Sequence, residues 1–174
     1  MKSISEHLTS YASYHRDPRN IATHFIGIPM IIFAVTILLS RPLISMAIFD
    51  LSPAIVLAII ACAYYLRLDL FLGLVMSCLL SVSVWHGAAI ASTSTLSWLG
   101  WGVGLFVVGW ILQFVGHFYE GKKPAFVDDI MGLAVGPLFV VAEAVFMLGL
   151  KSELKRVVEK GAGPVAIKTK KVMA

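Results

Sequence analysis

Charged residues are scarce in this chain of 174 residues, at 14% of the total, whereas hydrophobic residues make up 59%. A soluble domain carries roughly 25% charged and about 45–50% apolar residues. The scarcity of charge therefore excludes an ordinary soluble domain and indicates an integral membrane protein. We expect residues 1–150 to form a single membrane-embedded helical domain.

Cysteine is also rare. Cys62 and Cys78 both lie in apolar stretches without C-x-x-C spacing, which excludes a disulfide framework and argues against a thiolate-bound metal. No secretory signal fits the polar first twenty residues, so we expect the first apolar stretch to act as an uncleaved anchor. The five histidines include no H-x-x-x-H or H-x-x-H-H cluster, which argues against a di-iron membrane hydroxylase or desaturase.

Basic residues are concentrated at one end of the chain. From Lys151 onward there are seven basic and two acidic residues, a net charge of +5, while the rest of the chain carries −1. We interpret residues 151–174 as a basic cytoplasmic tail suited to an anionic membrane surface. The tail contains no aromatic residue, so we expect no nucleic acid partner.

Hydrophobic runs dominate what remains. Four of them predict transmembrane helices, at about 21–39, 53–66, 70–91 and 96–117, although a bilayer core needs about 20 residues and the second run is short. Residues 3–16 predict an amphipathic interfacial helix, because Ser3 and Glu6 have capping-box spacing and Pro18 would end the helix. In the fourth run, Gly100 and Gly104 have the spacing of a close helix–helix contact.

Residues 129–150 are ambiguous, because they are long enough to cross a membrane but contain internal glycines, a proline and Glu143. Four spans place every basic region on one side of the membrane, whereas a fifth would place the basic tail outside. We therefore predict an all-α bundle of four transmembrane helices with an N-terminal amphipathic helix and a broken or re-entrant segment at 129–150. Five spans stay possible.

Polar residues interrupt this apolar chain in three places: residues 14–20, His24 and residues 117–121. In the four-span topology, His15, His24 and His117 all lie at the cytoplasmic ends of their helices. Gln113, His117 and Glu120 follow each other at helical spacing and share one face. We therefore expect the three histidines and Glu120 to converge at the cytoplasmic interface.

Several imidazoles with a carboxylate suit Fe(II) and leave positions open for oxygen and substrate. Asn20, Gln113 or Asp128 could orient such ligands. Each also has a simpler interpretation: Asn20 or Asp128 as a helix N-cap, and Glu120 as a partner of Lys122 or Lys123. We expect His86 to lie far from this cluster and His7 to be exposed on the amphipathic helix.

Two sequence blocks carry a family resemblance. YHRDPRNIATHFIGIP near the N-terminus and GHFYEGKKPAFVDDIMGLAVGPLFVVAE further on resemble the two motif blocks of a membrane family first catalogued without a function. That family includes the fungal 2-hydroxy fatty acid dioxygenase of the endoplasmic reticulum and many bacterial members. The essential histidines of the family correspond by motif to His15, His24 and His117, while the ligand role of Glu120 is our own inference.

The resemblance implies an Fe(II)-dependent dioxygenase that uses molecular oxygen to shorten a long-chain 2-hydroxy fatty acid by one carbon. The protein would be embedded in membrane lipid, in a bacterial inner membrane or the endoplasmic reticulum, with its site and both termini facing the cytoplasm. The carboxylate of the substrate could pair with Arg16, Arg19, Lys122 or Lys123. For the two arginines, positive-inside anchoring is an alternative.

Other functions stay open at this point. A small membrane transport or binding protein could use the polar cluster as a relay, but it would need polar residues through the full membrane depth. A membrane serine hydrolase would need a serine, a histidine and a carboxylate on one face. The serines at 77, 81 and 83 have no histidine near their depth except His86.

Overall fold

The structure is a computed structural model that describes residues 2–45 and 50–168. This part of the chain contains seven α-helices and two strands of two residues each. The helices are α1 (Ile4–Ala12), α2 (Pro18–Ser40), α3 (Pro53–Leu68), α4 (Leu70–Ala91), α5 (Thr95–Glu120), α6 (Gly132–Met147) and α7 (Ser152–Ala162). The strands β1 (Ile44–Ser45) and β2 (Asp50–Leu51) pair antiparallel. The predicted helical membrane fold is confirmed.

Three helices, α2, α4 and α5, are long and apolar enough to cross a membrane. Helix α3 has 16 residues and is shorter. Helices α6 and α7 meet at a bend of 118° and together make at most one further crossing, so the number of spans stays a prediction. The break expected within 129–150 begins at the end of that range: α6 continues through Pro137 to Met147, and the chain turns at Gly149 and Lys151, whose φ values are positive.

Contacts divide the chain into two compact units. Unit 1 consists of the described parts of Met1–Ile28 and Ile111–Ala174, and unit 2 of Pro29–Trp110. Helices α2 and α5 each contribute residues to both units. The expected boundary between a domain at 1–150 and a tail at 151–174 stays a prediction, and residues 152–162 form α7, which packs against α1 in unit 1.

Unit 2 is built around the packed pair α3 and α4. Asp69 separates them: its backbone N–H donates to Tyr65 O at the end of α3, and its side chain accepts from Leu72 N at the start of α4. In this unit, Gly102 of α5 packs closely against Leu38. The close contact predicted at Gly100 and Gly104 is wrong for the described residues, because a Cβ at either position would meet nothing within 4 Å.

Unit 1 begins with α1, and the predicted capping box is confirmed, since Ser3 N donates to Glu6 Oε2 at 2.6 Å and Glu6 N to Ser3 Oγ at 3.3 Å. The helix ends at Ala12 and not at residue 16. Pro18 does not end it but opens α2, with Asp17 as the N-cap whose Oδ1 accepts from Arg19 N at 2.9 Å. Proline suits a first helical position because the N–H it lacks would have no partner there.

Candidate metal centre

Three buried histidines meet in unit 1. His15 lies in the turn between α1 and α2, His24 in the second turn of α2, and His117 in the last turn of α5. Their exposed fractions are 0%, 1% and 7%. Each offers one ring nitrogen to the group, and these three atoms all lie within 4.8 Å of one another. The structure thus brings together the three histidines that the sequence singled out.

Backbone carbonyls fix two of the imidazoles. The Nδ1 of His15 lies 2.7 Å from Tyr11 O, and the Nδ1 of His24 lies 2.9 Å from Asn20 O. A carbonyl only accepts, so both Nδ1 atoms carry the proton and both Nε2 atoms present a lone pair. These two Nε2 atoms are 3.1 Å apart. Two lone pairs at that distance repel each other unless a proton or a cation lies between them.

A shared proton is disfavoured at this site. Burial lowers the pKa of His15 well below its ordinary value, and the neighbouring His24 lowers it further. The site therefore favours neutral imidazoles, which are the form that ligates metals. Metal–imidazole distances of about 2.0–2.1 Å put adjacent ligand atoms about 3 Å apart at a right angle, close to the spacing seen here. The residues present fit a first-row metal ion.

His117 completes the donor set. Its Nδ1 is buried and has no hydrogen-bond partner among the described residues. A buried polar atom without a partner destabilises the fold, and a metal ion bound to this nitrogen would remove that cost. The three histidines supply only nitrogen donors, a set that suits iron, zinc or copper better than calcium or magnesium.

Two aromatic residues that the sequence did not single out hold His15. The ring of Tyr11 stacks on the imidazole at 4.1 Å with an interplanar angle of 7°. Phe139, from α6, packs against both rings, at 5.1 Å from Tyr11 and 5.6 Å from His15. Tyr11 precedes His15 by four residues, about one helical turn, and this spacing is the signal that the sequence offers. Phe139 lies in a helix whose residues are apolar except for Glu143, and nothing in that pattern distinguishes it.

A glycine allows α2 and α5 to approach at the site. A Cβ on Gly116 would collide with Thr23 Oγ1 and Asn20 Oδ1 and would lie 3.2 Å from His24 Nδ1. Any side chain at this position therefore pushes the first turns of α2 away from the end of α5. The distance between His24 and His117, with ring centroids 5.1 Å apart, depends on this glycine.

Glu120 is buried and hydrogen-bonded on both oxygens. Its Oε2 accepts from the backbone N–H of Arg16 at 2.9 Å and of Asp17 at 2.8 Å, and from Asn20 Nδ2 at 3.1 Å. Its Oε1 accepts from Lys168 Nζ. In these contacts the carboxylate ties the turn before α2 to the end of α5. A role for Glu120 as a metal ligand stays a prediction.

The pairing of Glu120 with Lys122 or Lys123 is wrong for the described contacts. Lys122 Nζ donates to Ser13 O at 2.8 Å, and Lys123 pairs with Asp128 at 2.5 Å. Lys168 takes their place as the cationic partner of Glu120. The pairing of Glu120 with Lys168 could not be predicted from the sequence, because 48 positions separate the two residues.

The four basic residues predicted to bind substrate all have protein partners. Arg16 is 5% exposed and lies 3.3 Å from Glu143 of α6. Arg19 pairs with Asp17 at 2.8 Å and lies over the ring of Tyr119. The partners of Lys122 and Lys123 are given above. Binding of a substrate carboxylate by these residues stays a prediction.

The residues predicted to support the ligands lie in three different settings. Asn20 is not an N-cap, since α2 begins before it, and its backbone carbonyl orients His24. Gln113 is 5% exposed, and its Nε2 has no hydrogen-bond partner among the described residues. Asp128 is not an N-cap either; it is exposed and accepts from Tyr14 Oη at 2.9 Å.

The two remaining histidines lie outside the group. His86 lies in α4 of unit 2 and interacts through Nδ1 with Val82 O at 2.9 Å. His7 is buried, with 9% of its surface exposed, so the expectation that it is exposed is wrong. It lies on the same side of α1 as Leu8 and Tyr11, and burial lowers its pKa.

Known proteins give independent information on this chain. The family model described as "Mpo1-like: 2-hydroxy-palmitic acid dioxygenase Mpo1-like" matches residues 1–148. The 2-hydroxy-palmitic acid dioxygenase MPO1 of Saccharomyces cerevisiae is 31% identical over 159 residues, which cover 90% of this chain and 87% of the yeast protein. No solved structure matches. The family match includes all three histidines of the buried group, and the chain belongs to the Mpo1-like family.

Proposed function

We propose that the protein is an Fe(II)-dependent dioxygenase that shortens long-chain 2-hydroxy fatty acids by one carbon, with molecular oxygen as the oxidant. The substrate class comes from the yeast relative, whose name specifies 2-hydroxy-palmitic acid. The proposal of a metal is supported by the buried histidines at 15, 24 and 117. The observation that carries the proposal is the 3.1 Å between the Nε2 atoms of His15 and His24, whose Nδ1 atoms both face backbone carbonyls.

In this proposal His15, His24 and His117 hold the iron. When bound, iron supplies the redox and Lewis-acid chemistry that cleavage beside a 2-hydroxy carboxylate requires. The protein holds the two Nδ1 protons on the carbonyls of Tyr11 and Asn20, so that Nε2 stays free to ligate. Three neutral protein ligands leave positions for the substrate and for oxygen.

The surroundings of the three histidines keep water away and select an anionic head group. The imidazoles are nearly inaccessible, and Tyr11 and Phe139 cover His15 with apolar surface. We infer that Lys122, whose ammonium donates to a backbone carbonyl, attracts the substrate carboxylate to this end of the helices, and that Arg16, Arg19 and Lys123 could bind it only by sharing the carboxylates they already contact. The acyl chain would remain in the membrane hydrocarbon, beside helices whose outer residues are apolar and exposed.

A reconstitution experiment tests this function. Detergent-purified protein would be loaded with Fe(II) without oxygen, and then given air and 2-hydroxyhexadecanoic acid, with products identified by mass spectrometry. We expect the wild type to form the fatty acid that is one carbon shorter. His117→Ala should not form this product, and His86→Ala should still form it. If the protein binds iron but forms no product, the proposed substrate is wrong. If it binds no metal, the proposed metal centre is wrong.

A further inference from the structure

The chain continues beyond its family match and returns to the metal centre. The match ends at residue 148, after which α7 runs to Ala162 and packs against α1, with Gly161 close to Thr9. The segment Gly163–Lys168, called the strap below, then lies along the turn that carries His15. The basic tail therefore has a structural contact that its charge alone did not suggest.

Four hydrogen bonds join the strap backbone to residues 16–19, the turn before α2 and its first residues. Arg16 Nη1 donates to Gly163 O at 3.2 Å, and Ala166 N donates to Arg16 O at 2.9 Å. Lys168 N donates to Asp17 Oδ2 at 2.8 Å, and Arg19 Nη2 donates to Lys168 O at 3.1 Å. The alternate N–H groups of 166 and 168 point towards the turn, as in the edge pairing of a strand.

The side chain of Lys168 makes the most consequential contact. Its ammonium pairs with Glu120 Oε1, while Oε2 of the same carboxylate binds the N–H groups of Arg16 and Asp17. The side chain of Glu120 has no exposed surface, so its charge needs a partner to remain in place. Glu120 follows His117 by three residues on α5 and contacts the residue after His15, so it links two of the three histidines.

We propose that the strap is a positioning device of the metal centre, with Lys168 as a positioning residue that acts through Glu120 on the turn carrying His15. This proposal rests on the proposed function, because it assigns the strap a role in holding metal ligands. Lys168 neutralises the carboxylate of Glu120, and this carboxylate holds the backbone N–H groups of Arg16 and Asp17. The position of these two residues sets the position of the His15 imidazole relative to His24 and His117. Residues that orient ligands typically change metal affinity about 10- to 100-fold when removed.

A lysine that only anchors the protein to anionic lipid would behave differently. Such a lysine needs its charge at the surface, as Lys160 has on α7, where it is exposed. The side chain of Lys168 is 36% exposed, and its ammonium pairs with a carboxylate that has no exposed surface. Replacing Lys160 therefore provides the matched control, because it removes the same charge from the same part of the chain.

The experiment compares Lys168→Met, Lys168→Arg, Lys160→Met, Glu120→Gln and the double variant Glu120→Gln/Lys168→Met. Two properties would be measured on the full-length protein in detergent: Co(II) affinity from its absorption spectrum, and hydrogen exchange of peptides covering residues 13–20. In Lys168→Met we expect Co(II) binding about 10-fold weaker and exchange of this turn about 10-fold faster. Lys168→Arg should recover most of both, and Lys160→Met should match the wild type.

The double variant tests whether Lys168 acts through Glu120. Once the carboxylate is neutral, loss of the lysine should add less than two-fold to either property, because the charge it balances is gone. Equal effects of Lys168→Met in both backgrounds would overturn this route. If hydrogen exchange and Co(II) affinity are both unchanged in Lys168→Met, the strap has no positioning role and the proposal is wrong.

The readouts separate this proposal from the proposed function. If the wild type binds no Co(II) or Fe(II), the metal centre fails, and hydrogen exchange still shows whether the strap holds the turn. Exchange in α3 and α4, residues 53–91, serves as an internal check of folding. Faster exchange there as well as at 13–20 would mean general unfolding and would count against a local positioning role.

Discussion

Gly116→Ala is the substitution that tests most directly how the metal centre is assembled. The added methyl group would overlap Thr23 Oγ1 and Asn20 Oδ1 and would press on His24 Nδ1 at 3.2 Å. Neither Asn20 nor His24 is free to move away. Asn20 is held by Glu120, and the ring of His24 is held by the carbonyl one turn earlier. The displacement therefore reaches the imidazole of His24.

The expected magnitude follows from two opposing effects. Alanine is favoured over glycine inside a helix by about 1 kcal/mol. Overpacking of a close contact costs about 1–3 kcal/mol. We therefore expect a net loss of up to about 2 kcal/mol in unfolding free energy. Displacement of His24 against His117 should weaken metal binding more clearly, by about 10- to 100-fold.

Gly100→Ala is the matched control, since it makes the same change in the same helix. Its Cβ would meet nothing within 4 Å, so the variant should be as stable as the wild type or slightly more stable. Thermal unfolding in detergent and Co(II) titration would be measured for both. If Gly116→Ala binds Co(II) as tightly as Gly100→Ala, the approach of α2 and α5 at this glycine does not set the ligand spacing.

Four further predictions concern the residues around the histidines. Tyr11→Ala should weaken Co(II) binding about 10-fold by removing the ring that stacks on His15, while Tyr11→Phe should retain affinity, and equal effects would disprove the stacking role. Glu120→Gln should weaken binding yet leave the Co(II) absorption maxima unchanged, whereas a changed spectrum would make Glu120 a ligand. Chelation of a metal held at 100 times its Kd should lower the unfolding free energy by about 2.7 kcal/mol, and no change in Tm would argue against a bound metal. The hydrogen bond from the Arg19 side chain lowers the pKa of Asp17. The contribution of ionised Asp17 to the unfolding free energy should therefore be present at neutral pH and be lost only below about pH 4. Asp17→Asn should remove this acid dependence, measured by urea unfolding at several pH values.

The sequence predicted the elements that depend on local patterns. Apolar runs predicted α2, α4 and α5, because the length and hydrophobicity of a membrane helix are properties of the run itself. The capping box of α1 was predictable from Ser3 and Glu6 for the same reason. The convergence of three histidines followed from counting crossings, since helices joined by short turns alternate in direction.

Elements that depend on distant contacts were not predictable. Gly116 and Gly100 are both glycines of one apolar helix, and only the packing of other residues distinguishes the close contact from the open face. The position of Pro18 predicts a helix end, although proline is compatible with both the end of one helix and the start of the next. Here Asp17 decides the outcome by capping α2.

The role of Glu120 follows from the cost of its alternatives. To ligate a metal through Oε2, the carboxylate would have to release two buried backbone N–H groups, each loss costing about 1–3 kcal/mol. To ligate through Oε1, it would have to give up Lys168, its cationic partner. If Glu120 remains an anchor in the proposed metal centre, the three histidines would be neutral ligands, and a divalent ion bound there would retain its full charge. A higher charge on the ion would attract the anionic 2-hydroxy carboxylate substrate more strongly. Keeping the carboxylate of Glu120 out of the set of metal ligands would therefore favour the proposed substrate.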